Sequence, residues 1–339
     1  LEAAEPLLVL AATSSDPEAA ASARVFLGLI ADARGESGRA RSYYRMVASS
    51  PTALGVTGRA LLASAGDRWS IAVVSRPGYD SNVALQPATV TATGAGGDAD
   101  LTTIGAITTR PLSDLDLVLD NTVLYRRHAR MTDFDMLSDT VGASAIVGGA
   151  TDRAILAYHF DAATLGGARY DVGHAVDLGY VHVLAGPLAA TARYSLDART
   201  YTPAAYAGYT GLTHTGILEL AWGTPTSAKQ ASLGYVIERD ATDDPMLAAT
   251  GNGARLALRT GSSAIELRGS ALASYRIYDA DALGRRDLLV TADTSLYAEL
   301  SHAFGLVVGA TLLRNLSNEA ATDYLKWTVY AGVVASAGS

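Results

Sequence analysis

The chain has no cysteine in its 339 residues, which excludes a disulfide scaffold, a zinc-thiolate site and a thiol nucleophile. Charge is also scarce. Charged residues make up 18% and apolar residues 49%, where an average soluble domain has roughly 25% charged. The surface is therefore short of charge for a water-soluble protein of this size. Nor does any apolar run reach the roughly 18 residues that a membrane-spanning helix requires. The remaining way to cross lipid is a closed barrel, because every backbone N–H and C=O must find a partner there. The net charge of -8 argues against nucleic acid as a partner, since phosphate binding needs a basic face. The chain opens at Leu1 without a Met or a charged leader, which reads as a mature or trimmed product whose export signal is gone.

What is present changes in kind near residue 66. Residues 1–66 are rich in Ala, Leu and Arg, and residues 67–339 in Tyr, Thr, Gly and Val, a shift that marks a domain boundary. In the first part Asp16, Pro17 and Glu18 form a helix start: a side-chain cap, a pre-set φ and an acidic first turn. That helix runs through Val25, Leu27, Leu29 and Ile30 to Gly35. A second carries Ala40, Tyr43, Tyr44, Met46 and Val47, and Pro51 opens a third with Leu54, Val56, Leu61 and Leu62. Leu27, Gly28, Ala31, Gly35, Ala40 and Tyr44 resemble the offsets of a tetratricopeptide repeat, with small residues where its two helices cross; Pro51 comes one residue early. Such arrays need about three repeats, so the resemblance implies either further repeats ahead of Leu1 or a helical stub that packs on the rest of the chain.

From Trp69 onward the pattern changes to strict alternation. Leu115, Leu117 and Leu119 alternate with Asp116, Val118 and Asp120; Leu188 to Leu196 alternate with Thr191, Arg193, Ser195 and Asp197; Ile265 to Ile277 alternate with Glu266, Arg268, Ser270 and Arg276. Segments of about ten residues, apolar outward and polar inward, are the signature of a transmembrane β-barrel. Strand centres fall near Val73, Ala106, Asn121, Thr140, Ala157, Val176, Arg193, Ile217, Tyr235, Ala257, Ala271, Thr294, Ala310 and Val329. The count is fourteen, an even number as single-chain bacterial barrels require. The fourth strand is the least regular, because Asp135 and Asp139 share a face with Leu137 and Val141. Short connections, such as Gly148 to Asp152, alternate with longer ones, such as Tyr79 to Asp98, Ala162 to Gly167 and Thr200 to Tyr209. Short turns on the periplasmic side and long loops outside place the helical segment in the periplasm. A soluble β-sandwich also alternates, but it hides its apolar face; here the polar side is dense with Arg and Asp, and Tyr and Trp sit near strand ends like an aromatic girdle.

Alternation points Asp116, Asp120, Asp161, Asp171, Asp177, Asp197, Glu219, Glu238, Glu266, Asp293 and Glu299 into the lumen. The basic set there is Arg126, Arg153, Arg169, Arg193, Arg199, Arg255, Arg259, Arg268, Arg276 and Lys326. The two signs nearly cancel, whereas a charge-selective pore shows a ring or ladder of one sign, so this set reads as bracing for a scaffold or polar conduit. No cofactor or metal site is expected: the six histidines occur singly, without ligand spacing. His128 and Asp133 are the one rim pair that could activate water, and nothing completes a catalytic set around them.

Tyr79, Asp80, Ser81 and Asn82, followed by Val83, resemble the segment that opens the barrel in outer-membrane proteins with tetratricopeptide repeats. With the helical repeat and fourteen strands, the chain resembles the surface lipoprotein assembly modifier family. That resemblance implies a Gram-negative outer-membrane protein, not an enzyme. Its helical segment would receive a periplasmic client or envelope-complex partner, and its barrel, embedded in outer-membrane lipids, would help that client reach the surface. A polysaccharide-export barrel, a passive porin and a structural subunit of an envelope complex are the alternatives.

Overall fold

The computed structural model describes residues 5–14, 16–33, 37–48, 50, 54, 57, 69–86, 96–109, 116–148, 151–223, 229–262, 264–301 and 303–338. It divides into a small helical unit and a barrel.

Among the described residues three helices form the first unit: α1 (Glu5–Ala11), α2 (Pro17–Ala33) and α3 (Ser37–Ala48). The Asp16 carboxylate accepts the Glu18 N–H at 2.9 Å, the capping that the sequence implies. Leu27, Ile30 and Ala31 on α2 and Ala40, Tyr44 and Val47 on α3 are buried. Gly28 lies directly under the Tyr44 ring, so closely that a Cβ there would overlap it. The small residue at the crossing is thus a steric requirement of this hairpin. Helix α1 has no strong start signal in the sequence; Leu8 and Ala11 pack on the cluster of Ala12, Ala23 and Leu27, so tertiary contact outweighs its short length. The helix expected from Pro51 falls largely outside the described residues.

The second unit is a closed antiparallel barrel of fourteen strands. They are β1 (Trp69–Asp80), β2 (Asp98–Thr109), β3 (Asp116–His128), β4 (Met136–Gly148), β5 (Asp152–Leu165), β6 (Ala168–Ala185), β7 (Leu188–Tyr201), β8 (Gly211–Trp222), β9 (Lys229–Thr242), β10 (Ala249–Gly261), β11 (Ile265–Tyr278), β12 (Arg286–Ser301), β13 (Phe304–Ser317) and β14 (Tyr324–Gly338). Each strand pairs with its neighbours in sequence, and β14 closes on β1. Closure removes the free edges that an open sheet would expose.

The two faces differ in kind. Leu218 and Leu233, both mid-strand, are 65% and 63% exposed; a sandwich would bury such residues, and a lipid-facing wall displays them. Trp69, Trp222 and Trp327 are exposed near strand ends on the same face. Polar groups on this wall are paired: Tyr158 Oη lies 2.8 Å from His174 Nδ1, and Tyr194 Oη 2.7 Å from His214 Nδ1. On β4 the outward Asp139 accepts a hydrogen bond from Asn121 at 2.6 Å, which accommodates the irregular alternation there.

One expected long loop is corrected. Instead of an external loop from Ala162 to Gly167, β5 and β6 run on and meet in a tight turn at Gly166 and Gly167, whose φ values are +57° and +79°. Two adjacent positive φ values suit a two-residue hairpin turn matched to the strand twist, and both residues are glycine.

Candidate functional site

The lumen wall begins at the seam where β14 meets β1. Ser81 donates its N–H to the Trp327 carbonyl at 2.9 Å and accepts the Trp327 N–H on its hydroxyl at 2.8 Å. Asn82 donates to the Leu325 and Gln86 carbonyls and accepts the Gln86 N–H. Tyr79 points outward and stacks against Trp327 with ring centroids 5.4 Å apart. Asp80 is fully buried, 2.7 Å from Lys326 Nζ and 3.8 Å from Arg126. The Tyr79 to Asn82 segment therefore clasps the barrel shut, two residues on the wall and two in the loop above it. Asp100 joins the same knot, accepting from Arg126 Nε at 2.9 Å, and Arg130 pairs with the buried Asp98 at 3.2 Å.

Toward the short-turn end, Arg255 faces Glu219 at 3.5 Å, and Glu266 pairs with both Arg259 and Arg268. Asp293 accepts from Ser270. A cavity of about 600 Å³ opens here, lined in part by Arg153, Arg193, Glu219, Gln230 and Arg259. The larger groove of about 720 Å³ lies among outward residues such as Leu267, Leu296 and Val308, with no charged residue in its lining, and belongs to the apolar wall. Midway along the lumen His159 Nδ1 lies 3.3 Å from Asp177, with Asp120 beside it over Gly142. Glu299 follows the inward alternation of β12, and the Asp116 side chain lies outside the described residues.

Toward the long-loop end the wall is acidic. Arg199 Nη1 is 2.9 Å from Asp171, and its Nη2 is 3.3 Å from Asp161 and 3.2 Å from Asp197. Gly173 leaves room for the Asp161 carboxylate, which occupies the space a Cβ would take. Two strands on, Arg276 pairs with Glu238 and lies 3.7 Å from Asp240. Thr213 on β8 stands between the two groups, opposite both Asp197 and Asp240 in register, and donates to Asp240 at 2.8 Å. Beyond them Arg285 pairs with the buried Asp287 at 2.5 Å. Partial burial works against the Arg285 charge, but the hydrogen bond to Asp287 outweighs it and holds the guanidinium above its ordinary value.

The connection from β7 to β8 carries a short 3-10 turn, Ala204–Tyr209. Tyr170 on β6 meets Tyr201 at 5.4 Å and Tyr206 at 5.1 Å, both edge-on, and Tyr201 meets Tyr209 at 6.2 Å. The next long loop braces the turn, with the Asp244 N–H on the Gly208 carbonyl at 3.1 Å. Tyr201 follows the inward alternation of β7, so the Tyr209 ring that packs on it turns this side of the loop toward the lumen.

The rim pair His128 and Asp133 is corrected. His128 is buried and faces Asp135, whose carboxylate accepts its backbone N–H at 2.7 Å, while Asp133 sits in the Thr132–Phe134 turn. The turn carries Asp133 off and presents the carboxylate two residues later. Among the described residues no three acidic or His groups are placed to hold a metal ion. Sequence alternation missed Asp98, Asp100, Asp240 and Asp287, which sit at strand ends, and the tyrosine cluster, whose members belong partly to a loop.

No family model matches the chain, and no curated protein matches it either. Among solved structures it is similar to the outer membrane protein Omp33 of Acinetobacter baumannii (9% identity, TM-score 0.39, 79% of this chain and 97% of that one). It is also similar to an anion-selective porin from Comamonas acidovorans (12%, 0.40, 80% and 99%). A third is OmpT, an outer membrane protein of Vibrio cholerae (7%, 0.44, 80% and 98%). The likeness is one of barrel architecture.

Proposed function

We propose that this chain is an outer-membrane barrel whose lumen admits small hydrophilic solutes by passive diffusion, with its long loops outside and its helical unit in the periplasm. The observation that carries this reading is a lumen wall that is paired yet wet. Arg276, Arg199 and Arg268 are engaged by carboxylates from their own or nearby strands while their side chains remain 25%, 32% and 63% exposed. Pairs of this kind hold side chains against the wall and leave water along the axis. Purified full-length protein in a planar bilayer is expected to give steady, ohmic single-channel currents with no client present. Folded, inserted protein that passes no current would overturn the reading.

A second reading, assistance to a client on its way to the surface, is favoured by the helical unit. Phe26 and Leu29, one turn apart on α2, and Met46 on α3 are exposed at 55%, 42% and 39%, an apolar surface suited to a peptide or lipoprotein partner. Pull-down from the native envelope tests it: a specific lipoprotein should co-purify and be lost with Phe26→Ser. A bare preparation would remove this reading.

A further inference from the structure

The outer mouth holds more negative charge than the protein neutralises. Asp161, Asp171, Asp197, Glu238 and Asp240 share two guanidinium groups, those of Arg199 and Arg276. The deficit falls on both sides of Thr213: three carboxylates around Arg199 on β5–β7, two around Arg276 on β9. Asp171, 3% exposed, and Asp197 each keep one buried oxygen to which the protein donates no hydrogen bond, as Asp80 and Asp100 do at the seam. A buried acceptor without a donor is costly, and an uncompensated carboxylate more so. Tyr170 precedes Asp171 and Tyr201 faces it in register, and the rings of Tyr206 and Tyr209 pack on those two, with Tyr209 51% exposed. Aromatic faces attract cations as carboxylates do.

We propose that this mouth is a binding site for a small organic diamine, one ammonium group lying toward Asp161 and Asp197 and the other toward Asp240 and Glu238, with the Tyr209 loop over the carbon chain. Each feature selects against another class of ligand. A metal ion needs three ligands converging on one point, and no such set exists among the described residues. An anion meets net repulsion here. A neutral sugar would use the tyrosines and leave the charge deficit as it is. Two ammonium groups on a short chain answer both halves of that deficit and the aromatic faces together.

The test is calorimetric titration of the full-length protein in detergent micelles with putrescine (1,4-diaminobutane), succinate and glucose. Putrescine is expected to bind at millimolar concentration or below, and to weaken as salt rises, while succinate and glucose give no saturable heat. The paired change Asp197→Asn with Asp240→Asn keeps side-chain shape and should weaken putrescine at least tenfold. Tyr209→Ala, which leaves every strand intact, should weaken it severalfold. No saturable putrescine binding, glucose bound as well as putrescine, or affinity unchanged in the paired variant would each overturn the proposal. It rests on the conduit reading only for access to the mouth. Steady conductance without putrescine binding removes this site alone, and putrescine binding without conductance removes the conduit alone.

Discussion

Two patches of the lumen wall, both near the long loops, are built from the same residue types and differ in how completely they are neutralised. At the seam, Asp80 and Asp100 face Arg126 and Lys326, two acids on two bases, with Asp80 fully buried. On the opposite arc five carboxylates face Arg199 and Arg276. Balanced charge in a buried place fixes geometry, and here it fixes the closure of the barrel. Incomplete pairing beside water leaves a field that a mobile cation can answer.

The sharpest way to break that comparison is Asp80→Ala, which strands Lys326 against the seam and leaves Arg126 with Asp100 alone. Removing one partner of a buried pair should cost about 3 kcal/mol, read as a lower urea midpoint for barrel unfolding. Asp240→Asn on the arc should leave the midpoint nearly unchanged; equal losses would mean that the two patches are alike. Arg199→Gln comes next. It leaves three carboxylates without their cation, and because Arg199 is 32% exposed the loss should be smaller, about 2 kcal/mol. The same variant should shift the reversal potential in a KCl gradient toward potassium. Gly173→Val should push the Asp161 carboxylate off Arg199 and cost about 1 kcal/mol by overpacking. Gly105→Val, where a Cβ meets nothing within 4 Å, is the matched control and should be neutral.

The smallest effect lies in the loop after β11. The hydrogen bond from Arg239 holds the Asp279 carboxyl below its ordinary value of 3.8. A depressed folded value means that the stabilisation is present above pH 3.8 and fades as pH falls through the folded value. Asp279→Asn should lower the melting temperature slightly at pH 7, by an amount that shrinks as pH falls through the folded value, and the effect stays small because an exposed pair is screened by water. A gap that stays constant as the pH is lowered through the acid range would show that the contact does not act through charge.

Much of the wall is legible from local pattern. Each strand faces lipid on one side and water on the other, so Leu267 and Arg268, adjacent in sequence, fall on opposite faces by the period of the strand. Strand ends are less legible. Asp98 and Asp287 look like loop residues in the sequence, yet both are buried by the loop groups that fold over them, Arg130 and Arg285. The turn at Gly166 and Gly167 is local chemistry that loop length alone obscured. His128 meeting Asp135 depends on the path of the Thr132–Phe134 turn, which alternation does not address.

By itself the sequence determined the barrel: fourteen alternating segments, which side of each is wet, and the start of α2 at Asp16, because these follow from periods and caps spanning a few residues. Only the tertiary structure decided which charges share a partner. Arg199 reaches Asp161 across β6, 38 residues away in sequence, and the Ser81 hydroxyl receives the Trp327 N–H 246 residues on. Barrel closure and register bring such groups together, and no pattern within a single strand encodes that neighbourhood. The excess of acid at the mouth, hidden in a lumen total that nearly cancels, is a property of that arrangement.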